Sequence, residues 1–162
     1  MDIIFDTSAI DKIRQYFIKH KKTIAVAESV TAGFLQAALA SAEEASSFFE
    51  GGITTYNIDQ KVRHLKIDRE AGEACNCVSQ EIADQMAKGA LKLFECDWSI
   101  AVSGYATPVE ESGFKLYAYY SICNRDHIKN HGRIDVDSLM PEEAQLRYVN
   151  IILGRLTEQI EI

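Results

Sequence analysis

The chain holds only 2 prolines, 9 glycines and 1 tryptophan in 162 residues. So few chain breakers exclude collagen-like and Pro/Gly-rich disordered classes. Its apolar stretches run for a few residues each, against the roughly 20 that a bilayer-spanning helix needs. Met1-Asp2-Ile3-Ile4-Phe5-Asp6 has neither a basic start nor a long apolar segment, so it does not read as an export signal. Positive charge is not in excess either. The net charge is -7, from 24 acidic and 17 basic residues, which speaks against a phosphate-backbone partner. The nearest thing to a basic patch, His20-Lys21-Lys22, falls where cations complement the end of a helix. Neither nucleic acid nor membrane is expected as a partner. The 4 cysteines include Cys75-Asn76-Cys77, half of a zinc-ligand pattern with no second close pair. Cys96 and Cys123 read as small core residues. His20, His64, His127 and His131 are scattered, with no acidic pattern to complete a metal site. No metal or cofactor is expected, and free thiols in a cytoplasmic compartment are.

What is present is globular: 47% hydrophobic and 25% charged residues. The length suits one domain over residues 1–162. Helical and extended patterns alternate from end to end. A helix begins near Thr7 or Ser8, either of which can cap it, and carries Ile10, Ile13 and Phe17. Strands are expected at Thr23–Ala27, from Gly51-Gly52 to Tyr56, at Trp98–Val102, at Lys115–Cys123 and at Ile128–Val136. Helices are expected at Phe34–Ala42, at Asn57–Leu65, after a Ser79 cap, and from Pro141 with a Leu146, Val149, Ile152 and Leu156 stripe. The expected fold is a three-layer α/β/α sandwich on a mixed, mostly parallel sheet of about five strands.

Ligands of open α/β sheets bind outside the carboxyl ends of strands. Three polar segments fit that place: Glu28 to Gly33, Tyr56 to Lys61, and Ser103 to Pro108. Ser29 lies just before a helix, whose first amides favour an anion or a developing oxyanion. A serine hydroxyl needs a base. These segments contain no histidine, so Lys61 is the candidate, in a serine–lysine variant of triad logic. It needs a lowered pKa to act near neutral pH. Tyr56 can relay a proton or hydrogen-bond the serine. The plainer reading makes Ser29 and Thr31 caps, Tyr56 packing and Lys61 a solvated surface group.

The residues also carry a resemblance. Ala27-Glu28-Ser29-Val30-Thr31-Ala32-Gly33 resembles the A-E-S-C-T-G-G motif of the CinA C-terminal domain family, which are nicotinamide-nucleotide amidases. Ala45-Ser46-Ser47-Phe48-Phe49-Glu50-Gly51-Gly52 is similar to that family's A-S-x-x-F-x-G-G, and Tyr56 with Lys61 to its Y-S-N-x-x-K. Val78-Ser79-Gln80-Glu81-Ile82-Ala83 resembles V-S-x-E-V-A, and Ser103-Gly104-Tyr105-Ala106-Thr107-Pro108 resembles T-G-I-A-G-P. Arg147 falls where the family often has an arginine. The motifs are collinear over nearly the whole chain. The resemblance implies the α/β/α fold and hydrolysis of the nicotinamide mononucleotide amide to the acid and ammonia. It implies Ser29 as acyl-forming nucleophile, Lys61 as base and Tyr56 as assistant. Glu28, Thr31, Gly33, Gly52, Ser103, Gly104 and Arg147 would then bind substrate. A stand-alone form, assembled as a homodimer or higher homo-oligomer, is expected.

Several positions depart from the motifs. Val30 stands for the motif cysteine, and Ala32 and Thr107 for glycines. A methyl group is costly at Ala32 if the backbone there has positive φ. Val109-Glu110-Glu111-Ser112-Gly113 replaces a glycine-rich stretch and brings two carboxylates towards a site for a phosphate-bearing substrate. An amidohydrolase, with this or a related amide as substrate, predicts Ser29 and Lys61 in hydrogen-bond reach beside an open pocket. A catalytically inactive ligand-binding or interaction paralogue predicts that Val30, Ala32 or Thr107 fills it.

Overall fold

In the computed structural model, which describes residues 4–137 and 139–160, each element starts at a local chemical signal. Helix α1 (Thr7–His20) is capped by Asp6, whose carboxylate accepts the Ala9 amide at 3.0 Å. Thr7 and Ser8 are therefore already helical: the acceptor sits three residues before the amide it satisfies, and Asp6 holds that place. Strand β1 (Ile24–Glu28) is buried throughout. Helix α2 (Phe34–Ala40) stops two residues short of the apolar pattern. Strand β2 (Phe49–Thr54) ends before Tyr56, because Thr54 already pairs with Glu28, the last residue of β1.

Asn57 caps α3 (Ile58–Leu65), accepting the Gln60 amide at 3.0 Å. A short α4 (Arg69–Ala74) follows, capped by Asp68. Its 6 residues are too few for a helical period to show in the sequence. Ser79 caps α5 (Gln80–Phe94), as its spacing predicts. Strands β3 (Trp98–Gly104), β4 (Leu116–Asn124) and β5 (His127–Val136) complete the sheet. The β4–β5 turn places Arg125 and Asp126 at φ of 50° and 67°, the backbone that a tight hairpin requires. Helix α6 (Pro141–Ile160) closes the described chain.

The strand order is β2-β1-β3-β4-β5. β1 is parallel to β2 and β3, and β4 is antiparallel to both β3 and β5. Four of the five strands thus share one direction, which gives the mixed, mostly parallel sheet that the sequence predicts. Strand side chains alternate between faces, so the sheet divides the core. Ile24, Val26, Ile100 and Val102 meet Phe17, Leu35, Val149 and Leu156 on one side. Ala27, Ala101 and Cys123 meet Leu65, Ile82, Met86 and Ala90 on the other. Each large apolar side chain buried here contributes about 1.5–3 kcal/mol. On α6, Ala144 and Tyr148 lie deeper than the half-buried Leu146. The Tyr148 hydroxyl is satisfied in that position by the Tyr105 carbonyl at 2.8 Å. No described helix is long and apolar enough to cross a membrane.

Candidate functional site

The carboxyl ends of β2, β1 and β3 lie side by side, and the chain after each turns over one cavity. Connections leave β1 towards β2 on one face and reach β3 on the other, so the order reverses at β1 and a crevice opens there. The cavity measures about 730 Å³, within the ordinary range for small-molecule sites. Ser29, Tyr56, Lys61, Ser103 and Gly104 line it.

Lys61 is fixed by secondary structure. It sits on the first turn of α3, and its side chain runs into the protein to 2% exposure. Its Nζ donates to Thr55 O at 2.7 Å and to Ser29 Oγ at 3.1 Å. The Thr55 amide continues the sheet pairing for one further step, donating to Glu28 O at 2.9 Å, which holds this residue at the end of β2. Burial disfavours the ammonium form and lowers the Lys61 pKa from the ordinary 10.5. The Cys77 thiol nearby acts weakly in the opposite sense. The same burial raises the Cys77 pKa.

Ser29 is also nearly buried, and its amide donates to Val102 O at 3.1 Å. The turn that follows is held from beneath. The Glu28 carboxylate, wholly buried, accepts Thr31 Oγ1 at 2.5 Å, the Leu35 amide at 2.8 Å and the Gln36 amide at 2.9 Å. That corrects the expectation that the first amides of α2 face a ligand. Glu28 takes them, and α2 begins five residues beyond Ser29, at Phe34. Among the described residues, the amides of Val30 and Thr31 donate to no protein group. Val30 is held by α6, where Gln145 Nε2 donates to its carbonyl at 2.8 Å.

The remaining predicted residues separate by role. Glu28 and Thr31 brace the turn after Ser29 and do not line the cavity. Gly33 begins α2 with φ of 105°. Gly52 lets α2 pack on β2: a Cβ there would lie 2.4 Å from Gln36 Cγ and 2.7 Å from Val26 Cγ2. Tyr56 stands at the cavity mouth, 73% exposed, and its hydroxyl bonds neither Ser29 nor Lys61. Arg147 is on the exposed face of α6 and off the cavity, while Gln145, two residues earlier, lines it. Two residues on a helix turn a side chain about 200°. Ala32 does occupy left-handed backbone, with φ of 49°. Val30 and Thr107 line the cavity without closing it.

The sequence reading missed a fourth wall, from α4 to the start of α5, which supplies Glu73, Asn76 and Cys77. Ser103 Oγ ties it to β3 by donating to Cys77 O at 2.7 Å. Asn76 Nδ2 donates to the Tyr105 hydroxyl at 3.2 Å across the cavity rim. The signal for this wall was the polar Cys75-Asn76-Cys77 step before the Ser79 cap. All four cysteines are free thiols. No group of three or more His, Cys, Asp or Glu side chains among the described residues could hold a metal ion.

A CinA-like protein of Petrotoga mobilis is 34% identical over 140 residues, 83% of this chain and 35% of that protein. One from Prochlorococcus marinus is 46% identical over 90 residues, 56% of this chain and 21% of its own. The chain therefore spans about a fifth to a third of these relatives. Among solved structures, the competence damage-inducible protein A (ComA) of Klebsiella pneumoniae MGH 78578 superposes with a TM-score of 0.90 at 25% identity, covering 96% of this chain and 97% of that one. A CinA superfamily protein from Klebsiella pneumoniae 700603 gives 0.88 at 25% identity, over 94% and 96%. The CinA C-terminal domain profile matches residues 6–118, and with the shared five-stranded architecture this shows that the chain belongs to the CinA C-terminal domain family.

Proposed function

We propose that this protein is a serine amidohydrolase acting on the carboxamide of nicotinamide mononucleotide or a related small amide. The observation that carries the reading is the 3.1 Å contact between Lys61 Nζ and Ser29 Oγ, buried beside an open cavity. A lysine whose pKa burial lowers can supply a neutral amine. That amine keeps an N–H for Thr55 O and turns its lone pair to Ser29 Oγ. Ser29 Oγ attacks the amide carbonyl while Lys61 takes its proton. The oxygen that becomes negative is received by the Val30 amide, the N–H next after the nucleophile, as in other serine hydrolases. The Lys61 ammonium then protonates the leaving nitrogen, the C–N bond breaks, and ammonia departs. Water, deprotonated by the same amine, cleaves the acyl ester to the acid and restores Ser29.

A second reading, a binding module without turnover, is favoured by the outward-facing Tyr56 hydroxyl. Ammonia release from a panel of carboxamides that includes nicotinamide mononucleotide separates the two. The expected result is release by the wild type that falls by at least about 10³-fold in Ser29→Ala with the fold unchanged. Release that survives Ser29→Ala, or none from the whole panel, overturns the hydrolase.

A further inference from the structure

Lys61 is the one basic side chain among the described residues that line the cavity, and it lies on the floor, bound to Ser29 and Thr55. The rim carries the opposite sign. Glu73 comes from α4 and Glu111 from the short 3-10 turn Glu110–Ser112, both exposed and facing the same opening. Among the described residues Glu111 has no ion-pair partner, and Glu73 has only a long, exposed one. Arg69 approaches Glu73 only at 3.9 Å and is held more closely by Asp59, at 2.8 Å. Arg147, expected among the substrate-binding residues, is exposed on α6 and does not line the cavity. Tyr56 and Tyr105 add aromatic faces at the mouth. Carboxylates and aromatic faces attract a cation, and the carboxylates repel a phosphate dianion.

Resting on the hydrolase reading, we infer that this site takes a carboxamide on a cationic carrier without phosphate, with Glu73 and Glu111 as its specificity-determining residues. Both face the part of the ligand that lies outside the Ser29 pocket. They act on selection of the substrate and leave the bond-breaking step to Ser29 and Lys61.

Nicotinamide riboside and nicotinamide mononucleotide form a matched pair of probes, since both carry the pyridinium carboxamide and only the second carries phosphate. Calorimetric titration of the full chain at low salt is expected to give about tenfold tighter binding of the riboside. That preference should shrink as salt rises. In Glu73→Gln/Glu111→Gln it should shrink severalfold, chiefly through gained affinity for the nucleotide. Equal or tighter binding of the nucleotide by the wild type overturns the inference, as does failure of the riboside to bind at millimolar concentration. A preference that the double variant leaves unmoved overturns the assignment to Glu73 and Glu111. Ammonia release, followed on the same two compounds, keeps the readings apart. A riboside preference without ammonia defeats the hydrolase and leaves the charge selection standing. Ammonia from the nucleotide at equal or better efficiency does the reverse.

Discussion

At the level of single residues, Lys61 carries the most consequence. In the proposed reaction its amine is productive only when neutral, so kcat/KM should rise with pH and level off above an apparent pKa lower than 10.5. A rate independent of pH, or one falling as pH rises towards that value, contradicts its role as base. The same shift has a stability consequence with a definite sign. Between the lowered folded value and the ordinary lysine value the unfolded chain binds more protons, so stability rises with pH through that window. Below the folded value the cost of burying the ammonium is present in full. Urea titrations across this range should show the rise in the wild type and its loss in Lys61→Met. Ala32 is the second such residue. At φ of 49° its Cβ is strained, and Ala32→Gly should stabilise by about 1 kcal/mol, or roughly 2–4 °C in Tm.

At the level of elements, the turn that carries Ser29 depends on Glu28. One buried carboxylate satisfies a threonine hydroxyl and two amides at the start of α2. Glu28→Gln would turn an amide N–H towards donors, so about 2–3 kcal/mol of stability should be lost by denaturant titration. Activity should fall with it, because α2 and Ser29 share the turn. The β3–β4 junction has a similar dependence. A Cβ on Gly104 would lie 2.5 Å from both Ala118 Cα and the Tyr117 carbonyl oxygen. Gly104→Ala must therefore move backbone, and a loss of several kcal/mol is the expected outcome. A melting curve matching the wild type would show that β4 can yield.

At the scale of the whole molecule, both apolar layers rest on one sheet. Neither face of the sheet can be exposed without disturbing the other. Trp98, 3% exposed, packs edge-on against Tyr16 and Phe17 of α1, so its fluorescence reports one layer, whereas far-UV circular dichroism reports all the helices. The two unfolding transitions should coincide. Separate midpoints would show that the α3–α5 layer unfolds independently.

Much of this was legible in the sequence because it is local. The cap at Ser79, the helix that follows it, and the apolar β-branched strands depend on neighbours within one or two turns. The collinear motifs located Ser29, Tyr56 and Lys61 in the same way. Other features depend on which residues meet through space. The 6-residue α4, the acidic rim of Glu73 and Glu111, and the choice of Gln145 over Arg147 belong to that kind. So does the capture of the α2 amides by Glu28, since nothing in the spacing says whether a carboxylate turns towards the chain or the solvent. The sequence by itself determined most of the elements and their order, through periodicity and capping, and offered Ser29 and Lys61 as candidates through their place at strand ends and the motifs around them. Only the tertiary structure decided that Lys61 loses its water, reaches Ser29 and faces a cavity of negative rim. Desolvation and charge summation depend on every element packed around a point, and the strands that meet there lie up to 75 residues apart in the chain, from Ser29 to Gly104.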